Sequence, residues 1–128
     1  MIDSYFRDLE QTLQEFRNIC SSVLKKKQYN DKQGYISGSV HFDSGHRLEF
    51  MELKDIDQSA KIKYRYQFMD QQNACLFRYD NAPHHPEITT HPHHKHDGEK
   101  IIGSCEPTLF DVLLEIAGYE RGNEESLR

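Results

Sequence analysis

Apolar residues recur at alternating spacings of three and four near the start of the chain. This period is that of one face of an amphipathic helix, and it predicts a helix over residues 4–27. Asp3 or Ser4 can cap its start, and the lysines at 25–27 suit the negative end of the helix dipole. The apolar stripe consists of Ile2, Phe6, Leu9, Leu13, Phe16, Cys20 and Val23.

Four later segments alternate between apolar and polar residues, which is the period of a β-strand with one buried face. In the clearest of them, KIKYRYQF, every second residue is apolar or aromatic. Asp43-Ser44-Gly45 predicts a hairpin turn between the first two strands, and short polar turns separate the others. The predicted strands cover residues 35–42, 46–53, 61–68 and 75–80.

A second amphipathic helix is predicted after a long polar segment, residues 81–104. Thr108 and Asp111 have the spacing of a capping box, and Gly118 is a typical residue for a helix end. The polar tail, 119–128, is expected to be mobile. The apolar positions that predict this helix are Leu109, Val112, Leu113 and Ile116.

The whole pattern predicts the α+β class: an N-terminal helix, a four-stranded antiparallel sheet, a histidine-rich loop and a C-terminal helix. A chain of 128 residues has room for one hydrophobic core, so residues 1–118 are expected to form a single domain. No apolar run approaches the roughly 20 residues that span a bilayer. The first residues also lack the pattern of a secretory signal, so we expect a cytoplasmic protein without a membrane partner.

Three cysteines are present, widely spaced and without a CxxC pair. This usage predicts neither a disulfide framework nor a thiolate zinc site. We interpret Cys20 and Cys75 as small core residues, because each falls on a predicted apolar face.

The net charge of −5 predicts weak nonspecific affinity for nucleic acid. The acidic excess is uneven, because the stretch from Glu106 to the end holds six acidic and two basic residues. The rest of the chain is nearly neutral, so local basic patches can exist there.

Six of the eight histidines lie within a short, proline-rich segment after the fourth predicted strand. Histidine can exchange protons or bind a metal near neutral pH. So many histidines are more than a structural loop requires, and we expect the function to lie here. They are His84, His85, His91, His93, His94 and His96.

Several blocks of this sequence resemble one known family. The most specific are RYDNAPHHP and PHHKH, and the strand YRYQF, the hairpin DSGHRLEF and the helix EPTLFDVLLEI are similar as well. Together they span about residues 4–117 and resemble the TumE-like toxins of bacterial type II toxin–antitoxin modules. The resemblance implies a small toxin, neutralised by a helix-turn-helix antitoxin from the same operon, and an action on RNA.

The first hypothesis for the chemistry is RNA cleavage without a metal. A base removes the 2′-hydroxyl proton, an acid protonates the leaving 5′-oxygen, and a cation stabilises the phosphorane. His84 or His85 can be the base, and His94 or His96 the acid. Asp80 can orient one of these histidines.

Contacts to an RNA substrate can come from residues around the same segment. Arg78, as part of the catalytic site, and Lys95 are cations able to hold the scissile phosphate. Bases can stack on the rings of Tyr64, Tyr66 and Tyr79. Core packing is the favoured alternative for Tyr64 and Tyr66, because they share a strand face with apolar residues.

The second hypothesis is a site for a divalent metal such as zinc. Two histidine pairs have the spacing i, i+2, which on an extended segment places both side chains on one side. The pairs are His91 with His93 and His94 with His96. His84, His85 or Glu87 can complete a set of three or four ligands.

A function without catalysis is the alternative from a different class. In that case the same histidines belong to a metal-binding or regulatory protein that acts only through its partner. The apolar stripe of the first helix can serve the antitoxin or a homodimer, although the protein's own core has the first claim on it.

Overall fold

The computed structural model describes residues 1–126, which form two helices and one seven-stranded antiparallel sheet. Helix α1 is Ile2–Gln14 and helix α2 is Leu109–Ser126. The predicted α+β class and both terminal helices are confirmed, but the predicted number of four strands is wrong. The strands are β1 (Ile19–Gln28), β2 (Gln33–Phe42), β3 (Arg47–Asp55), β4 (Lys63–Met69), β5 (Cys75–Asp80), β6 (His94–Asp97) and β7 (Lys100–Gly103).

The predicted first helix, residues 4–27, is wrong in its second half. Helix α1 ends at Gln14, and residues 19–28 form β1 instead. Cys20 is exposed and Val23 is 63% exposed, so neither belongs to an apolar stripe. The serines and valine of this segment are weak helix formers, and pairing with β2 satisfies their backbone groups.

The first half of the predicted stripe is used in the protein's own core. Helix α1 buries Ile2, Phe6 and Leu13 against the sheet, and Leu9 packs against the same cluster. Phe16, just beyond the helix, packs edge-on against Phe110 of α2.

The strands form a simple meander, in which each pairs with its neighbours in sequence. Burial alternates along β2, β3 and β4, so the sheet has one buried face and one face with partly accessible side chains. We call the buried side, which packs against both helices, the helix face, and the other side the open face. The main strand residues on the helix face are Ile36, Val40, Phe42, Leu48, Phe50, Tyr64, Tyr66, Phe68 and Phe77.

The segment predicted to be a single loop, residues 81–104, contains the hairpin of β6 and β7. Its strands pair from His94 with Gly103 to Asp97 with Lys100. Gly98 occupies the turn with a φ of +63°, which favours glycine. The hairpin extends the sheet beyond β5 and carries two of the histidines.

Helix α2 begins as predicted but does not end at Gly118. The amide of Thr108 donates to the carboxylate of Asp111, and the amide of Asp111 donates to the hydroxyl of Thr108, which confirms the capping box. The helix continues to Ser126, and the ring of Tyr119 packs 5.5 Å from that of Phe68. None of the helices in the described range is long and apolar enough to cross a membrane.

Two smaller expectations concern the tail and the cysteines. The mobility of the tail, 119–128, stays a prediction, and residues 127 and 128 lie outside the described part of the chain. The interpretation of Cys20 and Cys75 as core residues is wrong, because both thiols are exposed. Each lies on a strand whose backbone, rather than its side chain, contributes to the fold.

Candidate active site

Pairing between β5 and β6 brings four polar side chains together on the open face. Arg78 lies directly opposite His96, and Asp80 lies opposite His94. Residues opposite each other in an antiparallel pair are within side-chain reach. We call this group of four the open-face cluster.

Asp80 is the centre of the open-face cluster. Its carboxylate accepts a hydrogen bond from Arg78 Nε at 3.0 Å, lies 2.9 Å from His94 Nε2, and accepts the Ala82 amide at 3.0 Å. Asp80 is 6% exposed, and these donors replace the water that its carboxylate loses on burial. The structure therefore gives Asp80 a partner histidine, the arrangement expected from the sequence.

His94 is held on both sides and is 2% exposed. Its Nδ1 lies 2.9 Å from the carbonyl oxygen of Pro92, and its Nε2 faces the Asp80 carboxylate. Both partners are hydrogen-bond acceptors, and they hold the ring from two sides. A ring so enclosed cannot contact a large substrate, which favours a positioning role for His94 over direct proton transfer.

His96 is more accessible and has a different electrostatic environment. Its Nε2 accepts a hydrogen bond from Arg78 Nη2 at 2.9 Å and lies 3.1 Å from His94 Nε2. Burial, and then the positive charge of Arg78, lower the pKa of His96 below its ordinary value of 6.5. At neutral pH the ring is therefore uncharged, with a lone pair on Nε2.

His84 and His85, in the segment that follows β5, lie beside this cluster. The His85 ring centroid is 5.1 Å from that of His94 and 5.8 Å from that of His96, and its Nδ1 is 3.3 Å from Glu87 Oε1. His84 is exposed and lines the adjacent cleft. The structure thus brings His84, His85, His94 and His96 into one neighbourhood, as the sequence predicted.

A cleft of about 570 Å³ opens on the open face beside Arg78 and Asp80. Basic side chains from β4 form part of its wall, and the aromatic ring of Tyr35 lies at its far side. Its lining residues are Tyr35, Met51, Lys63, Tyr64, Arg65, Arg78, Asp80, Ala82 and His84.

The predicted metal set is only partly brought together. His93 turns away, because its ring stacks on Tyr64 and its Nδ1 lies 2.8 Å from the Tyr64 hydroxyl; His91 is exposed. Among the described residues, a different trio has ligand atoms within 4.8 Å of one another: His85, His94 and His96. Two features disfavour a metal cation at this trio. The positive charge of Arg78 lies beside His96, and both ring nitrogens of His94 already face other partners.

Lys95 and Tyr79 lie on the wrong face to contact a substrate at the open-face cluster. Alternation along β5 and β6 directs both towards α2, where Lys95 Nζ is 2.8 Å from a carboxylate oxygen of Glu115. The Tyr79 hydroxyl donates to the other oxygen of Glu115 at 2.5 Å. The expectation that these two residues contact the substrate is therefore wrong, because alternation along β5 and β6 places both side chains on the helix face.

Tyr64 and Tyr66 are also wrong as platforms for base stacking. Tyr64 is 1% exposed and Tyr66 is fully buried, so neither ring face is open. The Tyr66 hydroxyl donates to buried Glu52 at 2.6 Å, and burial raises its pKa well above the usual value of 10. Core packing, the favoured alternative, is confirmed for both.

Tyr35 is the aromatic residue that sequence reasoning missed as part of the site. It is half-buried on the open face of β2 and lines the cleft. The signal that could have found it is the alternation of β2, in which Tyr35 falls out of phase with the apolar residues Ile36 and Val40.

The fold and this site define a class: a small α+β protein whose meander sheet carries a histidine, arginine and aspartate cluster on its open face. The family model of the toxin TumE matches residues 8–120, and the chain therefore belongs to the TumE toxin family. Comparison with curated proteins and with solved structures gave no match. The resemblance noted in the sequence is confirmed, and membership of a toxin family implies an antitoxin as partner.

Proposed function

We propose that this toxin is a cytoplasmic, metal-independent endoribonuclease whose centre is the open-face cluster, and that a helix-turn-helix antitoxin neutralises it. The observation that carries the proposal is the hydrogen bond from Arg78 Nη2 to His96 Nε2. It places a permanent cation beside an uncharged imidazole at the edge of a cleft. RNA cleavage needs this combination of a base and a phosphate-binding charge.

His96 is the general base in this proposal. Its lowered pKa leaves the ring uncharged at neutral pH. When Arg78 Nη2 moves from His96 Nε2 to the scissile phosphate, the lone pair of Nε2 is released and takes the proton of a ribose 2′-hydroxyl. The 2′-oxygen then bonds to phosphorus as the bond to the 5′-oxygen breaks. The products are a 2′,3′-cyclic phosphate and a 5′-hydroxyl end.

His85 is the general acid and gives its proton to the leaving 5′-oxygen. Its ring lies close to that of His96, and hydrogen bonding to Glu87 fixes its orientation. This assignment reverses the order expected from the sequence, in which the earlier histidines were bases. The reason is the local environment of His96, where burial and Arg78 favour the uncharged ring.

Arg78 binds the scissile phosphate, and Asp80 and His94 position the catalytic groups. The Arg78 side chain is 34% exposed, its Nε is held by Asp80 and its Nη2 by His96, and Nη1 is the guanidinium nitrogen left to face the cleft. A guanidinium suits the charge that develops on phosphate oxygens. The bond between Asp80 and buried His94 holds this arrangement in place.

The test compares His96→Ala and His85→Ala with His91→Ala, a matched loss of an exposed histidine outside the cluster. RNA is incubated with each purified toxin in chelator, and the ends of the fragments are analysed. His96→Ala and His85→Ala should each lose about 10²- to 10⁴-fold in cleavage rate, whereas His91→Ala should cleave like the unmodified toxin. The cut ends should carry 2′,3′-cyclic phosphate.

Two outcomes would contradict the proposal. One is a 3′-hydroxyl at the cut ends, and the other is an equal loss of rate in all three variants. Circular dichroism of each variant excludes unfolding as the reason for a loss.

A metal-binding function is the second candidate, favoured by the three ring nitrogens of His85, His94 and His96. The same variants separate it from catalysis. Stoichiometric zinc in the purified toxin, lost in His85→Ala and required for growth arrest, would replace the ribonuclease proposal. The charge of Arg78 beside His96 is the physical reason for placing this candidate second.

A further inference from the structure

Three basic side chains that line clefts on the open face lack a carboxylate partner among the residues whose side chains the structure describes. They are Lys25 of β1 and Lys63 and Arg65 of β4, and the register of the strands directs all three to the open face. Each lines a cleft on this face. Basic residues without partners, in a chain of net charge −5, concentrate positive potential on one side of the molecule.

The acidic side chains nearest to this row are already paired. Glu49 accepts hydrogen bonds from Arg47 Nε at 3.0 Å and from the Ser39 hydroxyl at 2.7 Å. Asp80 is paired with Arg78 and His94. The unpaired charge that remains on this part of the open face is therefore positive.

Two clefts join these basic residues into one path. A cleft of about 260 Å³ lies over β1, β2 and β3, and it shares Tyr35, Met51 and Arg65 with the 570 Å³ cleft beside the open-face cluster. We call the joined clefts the open-face groove. It crosses from β1 to β5, about 19 Å at the usual spacing of about 4.8 Å between strands.

Tyr35 lies at the junction of the two clefts and is half-buried. Its fixed strand position leaves the ring within the groove rather than in the core. An aromatic ring between basic side chains is the usual arrangement for binding single strands, because cations hold phosphates while unpaired bases stack. The rest of the groove wall includes Ser37 and Ser39 beside the apolar Val23 and Met51, and a serine hydroxyl can also bond to phosphate.

We propose that the open-face groove binds single-stranded RNA and leads it to the open-face cluster. Lys25, Lys63 and Arg65 contact backbone phosphates, and one base stacks on Tyr35. The choice of RNA as the ligand rests on the proposed ribonuclease function. The groove itself lies outside the residues assigned to proton transfer.

The test is binding of a fluorescein-labelled 2′-O-methyl oligouridylate, measured by anisotropy at several salt concentrations. This probe cannot be cleaved, because it has no 2′-hydroxyl proton. Lys25→Ala and Arg65→Ala should each lower the slope of log affinity against log salt by about 0.7, the value for one phosphate contact on a single strand. Lys100→Ala is the matched control, an exposed lysine on β7 outside the groove, and it should leave the slope unchanged.

The contribution of Tyr35 has its own pair of variants. Tyr35→Leu should weaken binding about fivefold or more, whereas Tyr35→Phe, which keeps the ring, should bind like the unmodified toxin. Thermal unfolding of each variant shows that the fold is retained.

Two results would overturn the inference. One is an equal slope of log affinity against log salt in Lys25→Ala, Arg65→Ala and Lys100→Ala. The other is an oligoglutamate that binds as tightly as the RNA probe. Its failure is distinguishable from that of the ribonuclease proposal. Groove-dependent binding without any RNA cleavage supports the groove and contradicts the ribonuclease. RNA cleavage by the toxin, together with unchanged RNA binding in the groove variants, supports the ribonuclease and contradicts the groove.

Discussion

At the scale of the residue, position on a strand decides the role of each polar side chain near the candidate site. His94, Lys95 and His96 are consecutive, yet the histidines join the open-face cluster while Lys95 pairs with Glu115 on the helix face. The two histidines also differ from each other. His94 has an acceptor at each ring nitrogen, whereas His96 accepts a hydrogen bond from a guanidinium.

The environment of His96 predicts how it titrates. By nuclear magnetic resonance, its midpoint should lie below 6.5, because burial and then Arg78 disfavour the charged ring. Arg78→Gln should raise the midpoint by removing the cation. Arg47→Gln is the matched control, since Arg47 pairs with Glu49 elsewhere on the open face.

The same shift has a defined sign in stability. His96 has a lower pKa folded than unfolded, so its contribution is present above pH 6.5 and is lost as the pH falls through the folded value. A midpoint above 6.5, or one that Arg78→Gln leaves unmoved, would remove the physical basis for His96 as the base.

At the scale of the element, sequence periodicity gives the start of a helix more reliably than its end. The stripe of α1 is real as far as Leu13, but two further apolar residues at helical spacing lie in an exposed strand. Gly118 is typical of a helix end, yet α2 continues past it. In both cases contacts with another part of the chain, β2 or the sheet beneath Tyr119, outweigh the local preference.

Two glycine substitutions, one in α2 and one within β2, test the helix beyond Gly118 and the packing of β2 by urea unfolding. Gly118→Ala should raise the free energy of unfolding by about 0.5–1 kcal/mol, because the residue is helical and an added methyl group meets nothing within 4 Å. Gly38→Ala should lower it by about 1–3 kcal/mol, since its methyl group would lie 2.5 Å from the Phe50 ring. Destabilisation by Gly118→Ala would instead indicate that the helix ends there.

At the scale of the whole molecule, the sheet separates charges that the composition averages. Acidic residues of α2 lie on the helix face of the sheet. Glu115 accepts a hydrogen bond from Lys95 of β6, and Glu120 accepts one from Ser44 in the turn between β2 and β3. Unpaired basic residues of β1 and β4 lie on the open face. A net charge of −5 is therefore compatible with one surface that attracts a polyanion.

The candidate site lies near the edge of the sheet, and this predicts uneven stability. Native-state hydrogen exchange should show amides of β6 opening at a lower free energy than those of central β3, because β6 and its partner β7 are only four residues each and β7 is largely exposed. Equal opening energies, with equal dependence on denaturant, would mean that the hairpin unfolds only with the whole domain.

The sequence by itself determined the α+β class, the core face of β4, the capping box of α2 and the family. These follow from alternation, spacing and local hydrogen bonds, which are written in short stretches of chain. The hairpin of β6 and β7 was missed because His-Lys-His-Asp alternates between two kinds of polar residue, although Asp97-Gly98 was a usable turn signal.

Only the tertiary structure decided which histidines join the candidate site and which lie outside it. The sequence gathered His84, His85, His94 and His96 in one segment, but the pairing of β6 with β5 placed two of them against Arg78 and Asp80. The same pairing sent Lys95 and Tyr79 to the helix face. A shift of one residue in a strand reverses the face of every side chain, and that register is fixed by long-range backbone pairing, which no local pattern contains.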